Sequence, residues 1–136
     1  MIHIVAYVGA LASIFIADMI WFGVTVNRLY RPILADILLE KINLKAALVF
    51  YLVYPVGLMV FAIGPALKTG AFTDAVTSGA LYGFFTYVTY DLTCQATLRN
   101  WTTKLSVIDI LWGAALGAIA AASGFLLASK LVGLIA

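Results

Sequence analysis

Asp18, Asp91 and Asp109 stand inside stretches of chain that otherwise read as membrane-spanning. A carboxylate in hydrocarbon is costly and by default marks a site. Three of the six acidic residues are placed this way, while the lysines and arginines fall outside the middle of the apolar runs. Without a buried cation, three neighbouring carboxylates cannot all remain ionised. Either one of them holds a proton, or the group takes up a cation. The chemistry on offer is therefore reversible binding of a proton or cation, with hydroxyls and aromatic rings as partners. Tyr51, Tyr54, Tyr90 and Thr93 supply the hydroxyls, and Trp21 and Trp112 stand three residues after Asp18 and Asp109. These nine residues form the candidate ligand- or proton-binding set. The tryptophans read equally as belt aromatics near the interface or as walls of a pocket.

No metal site is legible with the same clarity. A single cysteine, Cys94, and a single histidine, His3, give no basis for expecting haem or zinc, and the cofactor is unknown. Were a metal held, the three aspartates would be its oxygen ligands. Cys94 reads as a small helix-packing residue, and with no second cysteine an intramolecular disulfide is excluded.

The elements that must position these groups follow from composition. Of 136 residues, 65% are hydrophobic and 10% charged, and the mean hydropathy is +1.10. A soluble domain averages roughly 25% charged residues, so the chain reads as an integral membrane protein. The bilayer is its first partner, a homodimer is possible, and a net charge of +2 gives no reason to expect nucleic acid. A span needs about 20 apolar residues. Four runs qualify, over residues 2–26, 44–67, 72–95 and 105–135, predicting an all-α, integral membrane four-helix bundle as a single domain over 1–136. The first run contains Ala10-Leu11-Ala12, which resembles a leader cleavage site. No lysine or arginine precedes it, and it is read as a span.

Six of the eight basic residues lie in two connections: Arg28, Arg31, Lys41 and Lys45 between the first two spans, and Arg99 and Lys104 between the last two. The positive-inside rule then places both connections in the cytoplasm and both termini outside. The first connection, 27–43, has Pro32 poised to open a helix, and Ile33, Leu34, Ile37, Leu38 and Ile42 recur at helical spacing. It predicts a short amphipathic interfacial helix, with a gate over the site as the functional alternative. Residues 68–73 read as a turn.

Depths and faces agree. With alternating directions, all three aspartates fall in the half facing the basic connections, joined by Tyr51 and Tyr54. At about 1.5 Å per residue, Asp91 lies about 12 Å inward of Arg99, and Asp109 about 7.5 Å inward of Lys104. Every fourth residue of the third span reads Gly79, Gly83, Tyr87, Asp91, and of the fourth, Asp109, Gly113, Gly117, Ala121. Small-residue rows permit close backbone approach in lipid, so these rows are expected to face each other. Asp18-Met19-Ile20-Trp21 and Asp109-Ile110-Leu111-Trp112 also match in pattern, on spans running in opposite directions, as in inverted repeats. The structural alternative is that arginine or lysine snorkels in from the helix ends to pair the acids.

The run Gly79-Ala80-Leu81-Tyr82-Gly83-Phe84, then Tyr90-Asp91-Leu92-Thr93, Ala96-Thr97-Leu98, Trp101 and Asp109-Ile110-Leu111-Trp112-Gly113, resembles the DUF2177 family of small bacterial predicted membrane proteins. The similarity extends to Asp18 with Trp21, the Tyr30 region and Phe50-Tyr51. It implies a four-helix protein of the bacterial cytoplasmic (inner) membrane with no assigned activity. The family pattern has asparagine where this chain has Cys94, and often proline where it has Thr102.

Three functions follow from these residues. The first is a small proton- or cation-coupled carrier or small-ligand binder. The second is a structural or accessory subunit that docks through the Gly/Ala face 114–122 of the last span. The third is a lipid-modifying enzyme using the carboxylates as acid, base or metal ligands, a reading opposed by the lack of any hydrolase or phosphotransferase spacing.

Overall fold

The structure, a computed structural model, describes residues 1–135. Four long helices follow one another: α1 (Ile2–Leu34), α2 (Leu44–Thr69), α3 (Phe72–Thr97) and α4 (Thr103–Ile135). Among the described residues there is no strand. By length and composition, α1, α2 and the Thr103–Gly133 stretch of α4 are apolar enough to cross a membrane. The 26-residue α3 matches α2 in length but is more polar, carrying Thr73, Asp74, Thr77, Ser78, Thr86, Thr89, Asp91, Thr93 and Gln95. The protein is thus a helical membrane bundle with three strongly apolar spans.

The packing is that of a protein in lipid. Large apolar side chains such as Ile4, Phe15, Ile20, Val53, Phe61, Phe85 and Leu111 face outward. The interior is built largely of small residues: Ala6, Ala10, Ala62, Ala66, Ala75, Ala120, Ala121 and Ala128 are buried. Lipid gives helices no hydrophobic reason to associate, so close contact between small-residue faces must hold them. The central helix is α4, packed on α3 and on α1, while α2 meets the others mainly through its second half.

Both α1 and α2 change pitch just before a proline. In α1 the residues Val26–Tyr30 form a π-turn two residues ahead of Pro32, and in α2 Met59–Ile63 do the same two residues ahead of Pro65. A proline ring crowds the carbonyl four residues back and offers no N–H. Widening the preceding turn relieves that crowding and keeps the helix continuous.

This alters one expectation. Pro32 does open a helical turn, Arg31–Leu34, but that turn continues α1 and is not a separate interfacial helix. Residues 38–43 carry no helix, and Ile37, Leu38 and Ile42 are exposed. Helical spacing was present in the sequence, but after Leu34 the chain has only one more turn before it must reach Asn43, which caps α2 by accepting from Ala46 N–H at 3.2 Å. The α2–α3 connection is the expected turn, closed by Gly70 at φ 74°, a left-handed position that glycine adopts without a Cβ penalty.

Candidate functional site

The α3–α4 contact fixes the site. Gly79 lies against Gly117 and Ala121, Gly83 against Gly113 and Gly117, and the Tyr87 ring against Gly113. A Cβ added at Gly79 would come within 2.5 Å of both the Ala121 Cβ and the Gly117 carbonyl oxygen, so only glycine allows this approach. Continued one turn further, the antiparallel register sets Asp91 of α3 opposite Asp109 of α4. The two small-residue rows thus meet as their spacing predicted, and they end in two carboxyl groups side by side.

Asp91 is 0% exposed, and neither of its carboxylate oxygens has a hydrogen-bond partner. Two ionised carboxylates cannot bond to each other, because no hydrogen lies between them. Asp109, 7% exposed, accepts from the Tyr30 hydroxyl in a short hydrogen bond. Tyr30 in turn accepts from Trp21 Nε1 at 3.0 Å. It is the π-turn of α1 that carries Tyr30 on its last residue.

Asp18, 2% exposed, is separately satisfied. Its Oδ2 accepts from the Tyr51 hydroxyl at 3.1 Å and its Oδ1 from Trp112 Nε1 at 3.2 Å. The two tryptophans stack with centroids 4.5 Å apart and planes 4° from parallel. One continuous chain of contacts therefore runs Tyr51, Asp18, Trp112, Trp21, Tyr30, Asp109, Asp91. The two Asp-x-x-Trp segments cross: the α4 tryptophan serves the α1 aspartate directly, and the α1 tryptophan serves the α4 aspartate through Tyr30.

The donors to Asp18 and Asp109 are neutral aromatics, and the Asp91 carboxylate has no hydrogen-bond partner. Arg28, Arg31, Lys45, Arg99 and Lys104 are all exposed. Snorkelling from the helix ends therefore does not supply a hydrogen-bonded counter-charge among the described residues.

Not every expected residue joins this chain. Tyr54 is buried but bonds Thr86 Oγ1 at 3.2 Å and packs at a tilt against Tyr82, ring centroids 5.0 Å apart. Tyr90 is 58% exposed and packs edge-on against Trp101. Thr93 is exposed, and its carbonyl accepts from Thr97. Both follow Asp91 closely in sequence, but successive helix residues are about 100° apart, so neighbours of an inward residue face away. Among the described residues no three acidic, histidine or cysteine side chains come together as a metal cluster. Asp18 bonds Tyr51 and Trp112 instead. Of the Gly/Ala stretch 114–122 of α4 suggested for docking, Gly117, Ala120 and Ala121 are buried within the chain, while Ala114, Ala118 and Ala122 are half-buried.

Sequence reasoning missed Tyr30, Ser106 and Gln95. Gln95 lies four residues after Asp91 and Ser106 three before Asp109, on the same helix faces, a spacing that could have flagged them. Ser106 Oγ donates to Gln95 Oε1 at 2.7 Å and accepts from Trp101 Nε1 at 3.0 Å. Two shallow grooves, about 420 Å³ beside His3 and Lys68 and about 390 Å³ beside Ser78, Tyr82 and Thr86, include none of the aspartates in their walls.

The family described as a predicted membrane protein (DUF2177) matches residues 3–126. No curated protein and no solved structure matches the chain. The chain belongs to the DUF2177 family.

Proposed function

We propose that this DUF2177 protein is a small proton-coupled carrier or binder whose working group is the Asp91–Asp109 pair, holding a single proton. The observation that carries the reading is the pair of unpartnered oxygens on a fully buried Asp91 beside a second carboxylate. Each desolvated carboxylate costs several kcal/mol, and like charges at contact add to that cost. One proton removes one charge and creates the missing hydrogen bond, from the protonated acid to its neighbour. The Tyr30 hydroxyl then stabilises the remaining charge on Asp109, as short charge-assisted bonds do. Such a pair can release its proton when a cation arrives, or exchange it between two sides.

In this reading α3 completes a fourth crossing, with the hydroxyls of Thr86, Thr89 and Thr97 bonded to its own backbone carbonyls. Both basic connections face the cytoplasm of a bacterial inner membrane. Four helices enclose little volume, so a homodimer would complete any path for a larger ligand.

The test uses proteoliposomes containing a pH-sensitive dye, with an imposed potassium diffusion potential drawing protons inward. Wild-type protein should acidify the lumen faster than Asp91→Asn. Equal rates in the two would sink the carrier reading.

A second reading, a structural clasp, is favoured by one observation. Asp18 has both oxygens satisfied by Tyr51 and Trp112, which is how a carboxylate that only joins helices would be held. It expects Asp18→Asn to lower stability while leaving proton movement untouched.

A further inference from the structure

The two basic connections are locked together at one end of the bundle. Leu29 and Leu34 of α1 are buried in one cluster with Leu105 of α4, and Ile33 and Trp101 pack against it. The link after α1 and the α3–α4 turn also meet directly, Asn100 Nδ2 donating to Asp36 Oδ2 at 3.5 Å. Arg28 and Arg31 from one connection and Arg99 and Lys104 from the other therefore border a single surface, which Lys41 and Lys45 extend. All six are exposed, and the acids among them are Asp36 and Glu40, so the surface carries a surplus of four positive charges. Beside those cations the non-helical link presents Ile37, Leu38, Leu39 and Ile42, each exposed.

We propose that this end of the bundle is a docking surface for anionic phospholipid, with headgroup phosphates held by Arg28, Arg31, Arg99 and Lys104 and acyl chains covering the 37–42 link. The charge selects the headgroup. A guanidinium offers paired N–H donors that match two phosphate oxygens, and an ammonium adds a point charge. Clusters of about four or more such residues next to a span attract anionic lipid. A zwitterionic lipid carries the same phosphate, but its own cation cancels the long-range attraction. The apolar link selects a lipid over a soluble polyanion, because exposed Ile and Leu side chains of this number call for apolar cover. The proposal stands apart from the proton-holding pair, and either can fail without the other.

The test places the full-length protein in phosphatidylcholine bilayers with a trace of spin-labelled lipid, whose electron spin resonance separates lipid held at the protein from free lipid. Spin-labelled phosphatidylglycerol should associate about threefold or more better than spin-labelled phosphatidylcholine, since one lysine or arginine at an anionic surface is worth about fivefold. High salt should shrink that preference by screening the exposed cations. Combining Arg28→Gln, Arg31→Gln, Arg99→Gln and Lys104→Gln should bring the ratio close to one. Lys68→Gln with Lys130→Gln, at the other end of the bundle, should leave it unchanged. The salt series needs no substitution, so it decides the matter even if the fourfold variant does not fold. Equal association of the two lipids with wild-type protein overturns the proposal, as does a preference lost in the Lys68 and Lys130 variant. Displacement of the labelled phosphatidylglycerol by soluble glycerol phosphate at constant ionic strength would assign the surface to a free anion and overturn it too.

Discussion

Trp21 of α1 and Trp112 of α4 lie face to face, 4.5 Å between ring centres and 4° from parallel. Each belongs to an Asp-x-x-Trp segment, and each delivers its indole N–H to the other segment's aspartate, Trp112 directly and Trp21 through Tyr30. The stack thus couples two acid groups on helices that run in opposite directions. Neighbouring indoles held this way give a split band in the near- and far-ultraviolet circular dichroism. Trp21→Phe and Trp112→Phe should each abolish it. Trp112→Phe should also leave Asp18 Oδ1 without its donor, costing about 1–3 kcal/mol, read as a lower midpoint of thermal unfolding in detergent.

Tyr30 bridges the two halves and is the residue whose loss should be felt on both. Tyr30→Phe removes the donor to Asp109 and the acceptor for Trp21. It should destabilise by about 2 kcal/mol, the range for hydrogen bonds to charged groups. In a double-mutant cycle with Asp109→Asn the losses should fall short of additivity, since the two residues share one bond. Additive losses would place Tyr30 outside the network.

The glycine rows predict a sharp contrast between positions. A Cβ at Gly83 would drive into the Gly113 carbonyl, whereas nothing lies within 4 Å of one at Gly23. Gly83→Ala should destabilise by about 1–3 kcal/mol, as overpacking does, and spread the carboxyl pair. Gly23→Ala should be neutral or stabilise by up to about 1 kcal/mol through helix propensity. Thermal unfolding in the same detergent checks both.

At the pair itself, shape and hydrogen bonding can be separated. Asp91→Asn keeps an N–H donor towards Asp109, mimicking the protonated acid, and should retain wild-type stability within about 0.5 kcal/mol. Asp91→Leu removes the donor and leaves Asp109 facing hydrocarbon, costing about 2 kcal/mol or more. If asparagine and leucine are equally tolerated, no hydrogen bond joins the pair.

The bundle, its small-residue seam and the facing of Asp91 and Asp109 were legible because a period of four residues leaves its mark in the sequence at Gly79, Gly83, Gly113 and Gly117. Asp18, Trp21 and Trp112 were legible as an internal echo, though not as a crossed pair. Tyr30 was not read into the site, because its position depends on a π-turn that a later proline induces, shifting the helix face by a fraction of a turn. Tyr90 and Thr93 misled for the opposite reason: nearness in sequence to Asp91 puts them on the outer face of the same helix. The interfacial helix is absent because α1 runs on through its π-turn to Leu34, which leaves residues 38–43 as a non-helical link to α2.

The most direct measurement is the infrared spectrum of the purified protein at neutral pH, recorded in H₂O and D₂O. A deuterium-sensitive carboxylic acid C=O band should be present in the wild type and lost in Asp91→Asn, while Asp18→Asn retains it. A wild-type spectrum at neutral pH with only ionised carboxylate bands would contradict the account, because it would leave two buried charges side by side with no proton to join them.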